Sequence, residues 1–88
     1  MKQNHPRFPM PIADLPDLGR RIRDQRKALA LTQPEAAALT GVSVALWSEL
    51  EGGKRQNVSL GSVLRILHTL GLDLELVPRQ RPVAPHRA

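Results

Sequence analysis

Apolar positions along the chain fall into four stretches with helical spacing and one that alternates. Leu18, Ile22, Arg26 and Leu29 recur at steps of four, four and three, which places them on one face of a helix. That helix starts at Leu15 or Pro16, with Asp14 as its N-cap, and carries Arg20, Arg21, Arg23 and Lys27 mainly on its other faces. A second helix, about 33 to 39, opens with a capping box in which Thr32 and Glu35 satisfy each other's backbone N–H groups. Pro34 suits its first turn, and Gly41 suits the left-handed position beyond its end. Ser43 caps a third helix from Val44 to about Glu51, ended by Gly52 and Gly53. Leu46, Trp47 and Leu50 mark its inward face, and the alanines at 36 to 38 leave room for the indole. Beyond a loop from Lys54 to Val58, Ser59 caps a fourth helix. Its apolar stripe is Leu60, Val63, Leu64, Leu67 and Leu70, and Gly71 stops it.

Leu72, Leu74 and Leu76 then alternate with Asp73 and Glu75, the period-two pattern of a half-buried strand that runs from 72 to 77 and ends at Pro78. A lone strand in a helical chain needs partners for its backbone groups. Pairing with the same strand of a second copy across a twofold axis supplies them. A fifth helix or an irregular tail is the alternative. The predicted fold is therefore all-α: a small four-helix domain with a short C-terminal β-strand that pairs across a dimer.

Composition adds the rest of the organisation. The chain has 88 residues, room for one small domain. Residues 1 to 13 carry three prolines and no periodicity and read as a flexible arm; residues 78 to 88 are basic and proline-rich and read as a flexible tail. The folded part spans 14 to 77. Thirteen Lys and Arg against eight Asp and Glu give a formal charge of +5, suited to a polyanionic partner or simply to a soluble basic surface. With no Cys, disulfides and Cys-based zinc sites are excluded, and His5, His68 and His86 show no ligand spacing, so no metal or cofactor is expected. No apolar run approaches the roughly 20 residues that cross a bilayer, and no signal-peptide h-region opens the chain, which predicts a cytoplasmic protein without a membrane partner. No Gly-rich phosphate loop, Cys nucleophile or ordered Ser–His–acid set is present, and an enzyme is not expected.

Two short helices joined by a tight glycine turn over 32 to 55 form a helix-turn-helix, whose second helix can enter the major groove of DNA. Residues 18 to 33 (LGRRIRDQRKALALTQ), the Gly-Val-Ser at 41 to 43 and the Glu-Leu-Glu-Gly-Gly-Lys-Arg at 49 to 55 resemble the Xre/Cro/C1 (lambda-repressor-like) helix-turn-helix family. Residues 70 to 79 (LGLDLELVPR) further resemble the end of HipB-type antitoxins, in which a terminal strand follows the last helix.

The resemblance implies roles for particular residues. Gln33 is similar to the family glutamine that binds a DNA phosphate, although a solvated first-turn residue is the alternative. Arg26 and Glu51 match a partly buried structural ion pair between the first and third helices; an arginine on an apolar face needs such a carboxylate. The forward face of the third helix includes Ser43, Val44, Ala45, Ser48 and Glu49. Val44 and Ala45 stand where the family often has glutamine, so bidentate readout of adenine is missing, while both can pack on thymine methyl groups. Ser48 can donate or accept, and Glu49 either accepts from a cytosine amino group or is merely solvated. Lys54 and Arg55, with Gln56 and Asn57, look like the family loop that grips the sugar-phosphate backbone; a solvated loop is the alternative. Leu72, Leu74 and Leu76 form the inner face of the dimer strand.

The expected function is that of a dimeric, sequence-specific DNA-binding transcriptional repressor on a palindromic operator in double-stranded DNA. The resemblance implies a HipB-like antitoxin of a type II toxin–antitoxin system, which autoregulates its operon and neutralises a HipA-like serine/threonine kinase toxin. A stand-alone Xre-type regulator and a protein-interaction module that binds no DNA are the alternatives.

Overall fold

In the computed structural model, which describes residues 10–79, four helices form where the local caps place them. Helix α1 (Leu15–Ala28) begins as the Asp14 carboxylate accepts the Asp17 N–H at 2.8 Å, with proline in its first turn. Helix α2 (Gln33–Thr40) has the complete capping box: Thr32 accepts from Glu35 at 3.1 Å and Glu35 accepts from Thr32 at 2.8 Å. Gly41 ends it at φ +77°, in the left-handed region that glycine enters without Cβ strain. Helices α3 (Val44–Glu51) and α4 (Leu60–Thr69) are capped by Ser43 and Ser59, which accept the N–H groups of Leu46 and Ser62.

The apolar faces of these helices meet in one core built on Ile22, Ala36, Val42, Trp47, Leu50, Val63, Ile66, Leu67 and Leu70. Trp47 is its largest member and is completely buried. At about 25 cal/mol per Å² over about 150–250 Å², such a side chain contributes on the order of 4–6 kcal/mol to collapse, an upper bound. The indole lies in a core that includes Ala36, whereas Ala38 points to solvent and makes no room for it. Helix α1 crosses α3 so closely that Gly19 lies against the Leu50 carbonyl. The Gln25 amide donates to the Leu70 carbonyl at 2.9 Å and ties α1 to the end of α4.

Two ends of the predicted stripes differ. Leu29 is 46 % exposed, because it is the C-cap of α1 and has left the helical face that buries Ile22 and Arg26. Leu60 is 61 % exposed at the first turn of α4, and Ile66, outside the predicted stripe, is fully buried in the middle of the helix. Periodicity gives the direction of a face, whereas the neighbouring helices decide where its coverage stops.

Among the described residues no strand forms. Leu72 N–H donates to the Leu67 carbonyl at 2.8 Å, and Leu72 packs half-buried on the core. From there to residue 79 no regular structure forms, and Leu76 is 93 % exposed. A backbone ladder requires a second strand, and the described residues of one copy offer none. Of the arm read over 1 to 13, the described end is held: Arg21 donates to the carbonyls of Met10 and Pro11 at 2.6 and 3.0 Å, and Ala13 N–H donates to Asp17 at 2.9 Å. That N–H is the main influence holding the Asp17 carboxyl below its ordinary value; burial opposes it and Arg21 and Arg20 assist. The arm before residue 10, the tail from residue 80, and with them His5 and His86, lie outside the described residues.

Candidate nucleic-acid interface

Helix α3 is divided lengthwise. Trp47, Leu50 and Glu51 face inward, while Val44, Ala45, Ser48 and Glu49 are exposed on the other side, joined by the cap residue Ser43. Ser43 Oγ already accepts the Leu46 N–H at 3.0 Å, so its hydroxyl keeps a proton to donate outward. After α3 the chain turns sharply at Gly53, with φ +73°. Lys54, Arg55, Gln56 and Asn57 then line an open cleft of about 360 Å³ together with Glu49. Lys54, Gln56 and Asn57 are exposed and Arg55 is half-buried. The Arg55 guanidinium donates to the Glu49 carboxylate at 2.8 Å, a link between residues six apart that helical spacing alone does not bring together.

Beneath this face lies a hub centred on Glu51. Arg26 donates Nε to Oε2 at 2.6 Å and Nη2 to Oε1 at 2.9 Å, a two-pronged geometry that suits a carboxylate. Gln33 Nε2 donates to Oε1 at 2.9 Å, and the Trp47 indole N–H donates to Oε2. Arg26 also donates Nη1 to the Leu31 carbonyl at 2.7 Å. The hub therefore binds α1, the start of α2 and both ends of the α3 inner face to one buried carboxylate. Burial is the largest influence on Glu51 and pushes its carboxyl up, but the donors from Arg26, Gln33 and Trp47 together outweigh it and hold the group below its ordinary value. Their bond raises the Arg26 guanidinium in turn, against the effect of burial.

Gln33 thus lies half-buried against Glu51, with one amide hydrogen engaged and one remaining for an outside acceptor. Several of these links carried only faint signals in the chain. Trp47 and Glu51 are four apart on one helix and so within reach, but the Gln33 and Arg55 bonds depend on how the segments fold back. Leu72, Leu74 and Leu76 do not form one buried face in the single chain. Leu72 leans on the core, Leu74 lines a groove with Met10, Ile12 and Leu18, and Leu76 is open to solvent.

Among the described residues, no group of three or more His, Cys, Asp or Glu is placed to hold a metal ion, and His68 is exposed. Among the described residues no helix is long and apolar enough to cross a membrane.

A helix-turn-helix domain profile matches residues 17–80. The chain is similar to the restriction-modification controller protein C.AhdI from Aeromonas hydrophila, at 34 % identity and a TM-score of 0.63, over 67 % of this chain and 88 % of that one. It is similar to SinR, a master regulator for biofilm formation solved in complex with DNA, at 25 % identity and a TM-score of 0.61, over 64 % of this chain and 89 % of that one. The HipB–O4 20mer complex also resembles it, at 25 % identity and a TM-score of 0.72, over 81 % of this chain and 99 % of HipB. No curated protein sequence matches the chain. The match over 17–80, the likeness to these regulators and the capped helix pair α2–α3 agree: the chain belongs to the Xre-like helix-turn-helix family.

Proposed function

We propose that this protein is a dimeric transcriptional repressor that reads double-stranded DNA with α3 and grips the backbone with the loop after it. The observation that carries the reading is the exposed face of α3 continuing into the cleft lined by Lys54, Arg55, Gln56 and Asn57. Side-chain donors clustered beside a groove-sized helix suit phosphate oxygens. SinR was solved on DNA and HipB with its O4 20mer, and this chain shares their fold. In this reading Val44 and Ala45 meet thymine methyl groups, Ser43 and Ser48 reach base edges or sugars, and Gln33 offers its second amide hydrogen to a phosphate. Direct readout is modest, and DNA shape supplies part of the specificity.

Titration of a fluorescent promoter fragment at several salt concentrations tests this, since displaced counterions make log K fall with log salt by about 0.9 per phosphate contact. Binding that is absent or indifferent to salt rejects the reading. Lys54→Ala should weaken binding to all duplexes and flatten the salt slope by about one, whereas Ser48→Ala should change preference at one base pair. A Lys54→Ala protein with altered preference and undiminished general affinity would show those roles to be misassigned.

Residues 72–77 are proposed to pair with their counterparts in a second copy. The exposed Leu74, Leu76 and Val77 would gain cover, and two α3 helices would meet half-sites about 34 Å apart. Deletion of 72–77 should yield monomers by sedimentation; an unaltered dimer refutes the pairing. We further propose an antitoxin role, in which the protein also holds a HipA-like kinase toxin inactive. The likeness to HipB supports it: covering 81 % of this chain, it extends beyond the four helices, Leu15 to Thr69. The 34 % identity to the controller C.AhdI favours the second reading, a stand-alone regulator. Copurification from the native operon separates the two by whether a kinase-sized partner comes with the protein.

A further inference from the structure

We infer that Glu49 is a positioning residue for the backbone grip: it holds Arg55 over the cleft and does not read a base. This rests on the DNA-binding reading above. Glu49 fastens the loop at two points. Its carbonyl accepts the Lys54 N–H at 2.9 Å, and its carboxylate accepts Arg55 Nη1 at 2.8 Å. The turn at Gly53 makes the second bond possible by folding residue 55 back over residue 49.

The charges favour this role over base reading. A carboxylate on the exposed face of α3 would be repelled by nearby phosphates, whereas one paired with a guanidinium is largely neutralised. Arg55 has five N–H donors and spends one Nη1 hydrogen on Glu49, while its side chain stays 39 % exposed, which leaves Nη hydrogens for an outside acceptor. The guanidinium is therefore held but under-satisfied, and it lines the same cleft as Lys54, Gln56 and Asn57. An acceptor of the right chemistry is a phosphodiester oxygen of the DNA backbone. Holding the long side chain in advance reduces the ordering cost of binding it.

The test compares the full-length wild type with Glu49→Ala, Glu49→Gln, Arg55→Ala and the Glu49→Ala/Arg55→Ala double variant. Each is titrated by fluorescence anisotropy against the promoter fragment and an unrelated duplex of equal length, with thermal melting to verify folding. Glu49→Ala should weaken both duplexes alike by about three- to five-fold. Glu49→Gln, which keeps an acceptor oxygen, should lose less, and in the Arg55→Ala background the Glu49→Ala loss should vanish. Simple charge removal next to a polyanion predicts the opposite sign. Binding of Glu49→Ala as tight as or tighter than wild type overturns the positioning role, and so does a loss confined to the promoter fragment that persists without Arg55. Wild type that binds neither duplex would instead overturn the DNA-binding reading.

Discussion

Replacing Gly19 by alanine is expected to lower the melting temperature by about 12–24 °C, corresponding to about 3 kcal/mol or more in a domain of this size. A Cβ at Gly19 would lie 1.8 Å from the Leu50 carbonyl oxygen and 2.8 Å from its carbon. Both atoms belong to the backbone of α3, so no side-chain rotation relieves the overlap. One helix must move away from the other, opening the core around Ile22 and Trp47. Intrinsic preference acts the other way, since alanine in a helix interior is favoured over glycine by about 1 kcal/mol. The overlap with backbone outweighs that gain. Gly61 in α4 is the matched control, because a Cβ there meets nothing within 4 Å. Gly61→Ala should leave stability unchanged or raise it by up to about 1 kcal/mol. Thermal melts of the two variants side by side decide the matter: a Gly19→Ala protein that melts with the wild type would mean that α1 and α3 do not approach this closely.

Glu51→Ala should cost about 3–5 kcal/mol, the usual consequence of leaving a buried charge without its partner. The side chains of Arg26 and Glu51 are only 9 % and 3 % exposed, so water cannot replace the lost acceptor. Trp47 and Gln33 lose their bonds at the same time. Replacing the pair together, as Arg26→Met/Glu51→Leu, should recover much of the loss, because an apolar pair of similar volume leaves no buried charge behind. Denaturant unfolding measures both; a loss below about 1 kcal/mol for Glu51→Ala would show that the hub does not hold the helices. The same carboxylate makes stability depend on pH. Its folded value is depressed below an ordinary value of 4.5, so the unfolded chain takes up the proton first as pH falls. The stabilisation is full above about pH 5 and is lost on descent through the folded value. Asp17, also depressed, adds an acid loss of its own, so the Glu51 share is the part that Glu51→Gln removes.

Both predictions concern how α3 is seated; the Arg26–Glu51 pair is legible in the chain through the family resemblance, whereas the Gly19 contact is not. Gly19 falls in the middle of a helical pattern, where glycine carries no periodic signal; only the crossing of α1 over α3 gives it a role. The Glu51 hub gathers residues 26, 33, 47 and 51 from three helices. Arg26 on an apolar face called for a carboxylate and the i, i+4 spacing put Trp47 within reach of Glu51, but nothing in the spacing pointed to the Gln33 amide on the same group. The Glu49–Arg55 bond is a further case, since a six-residue separation has no meaning until the Gly53 turn is formed. Leu29 and Leu60 fit their stripes by spacing, yet lie where no neighbour covers them.

What the sequence by itself determined is the set of local decisions: four helices, their starts at Asp14, Thr32, Ser43 and Ser59, the left-handed stop at Gly41, and the basic loop after α3. These follow from hydrogen bonds and steric limits within three or four residues, which a chain carries wherever it goes. Only the tertiary structure decided which donors converge on Glu51, which glycine admits the neighbouring helix and which arginine Glu49 holds. Those outcomes depend on atoms distant in sequence meeting within about 3 Å, a distance set by packing of the whole core and by no local rule. The alternating segment 72–77 lies beyond both: its side-chain pattern is written in the chain, but a backbone ladder requires a second strand, and the described residues of one copy form none.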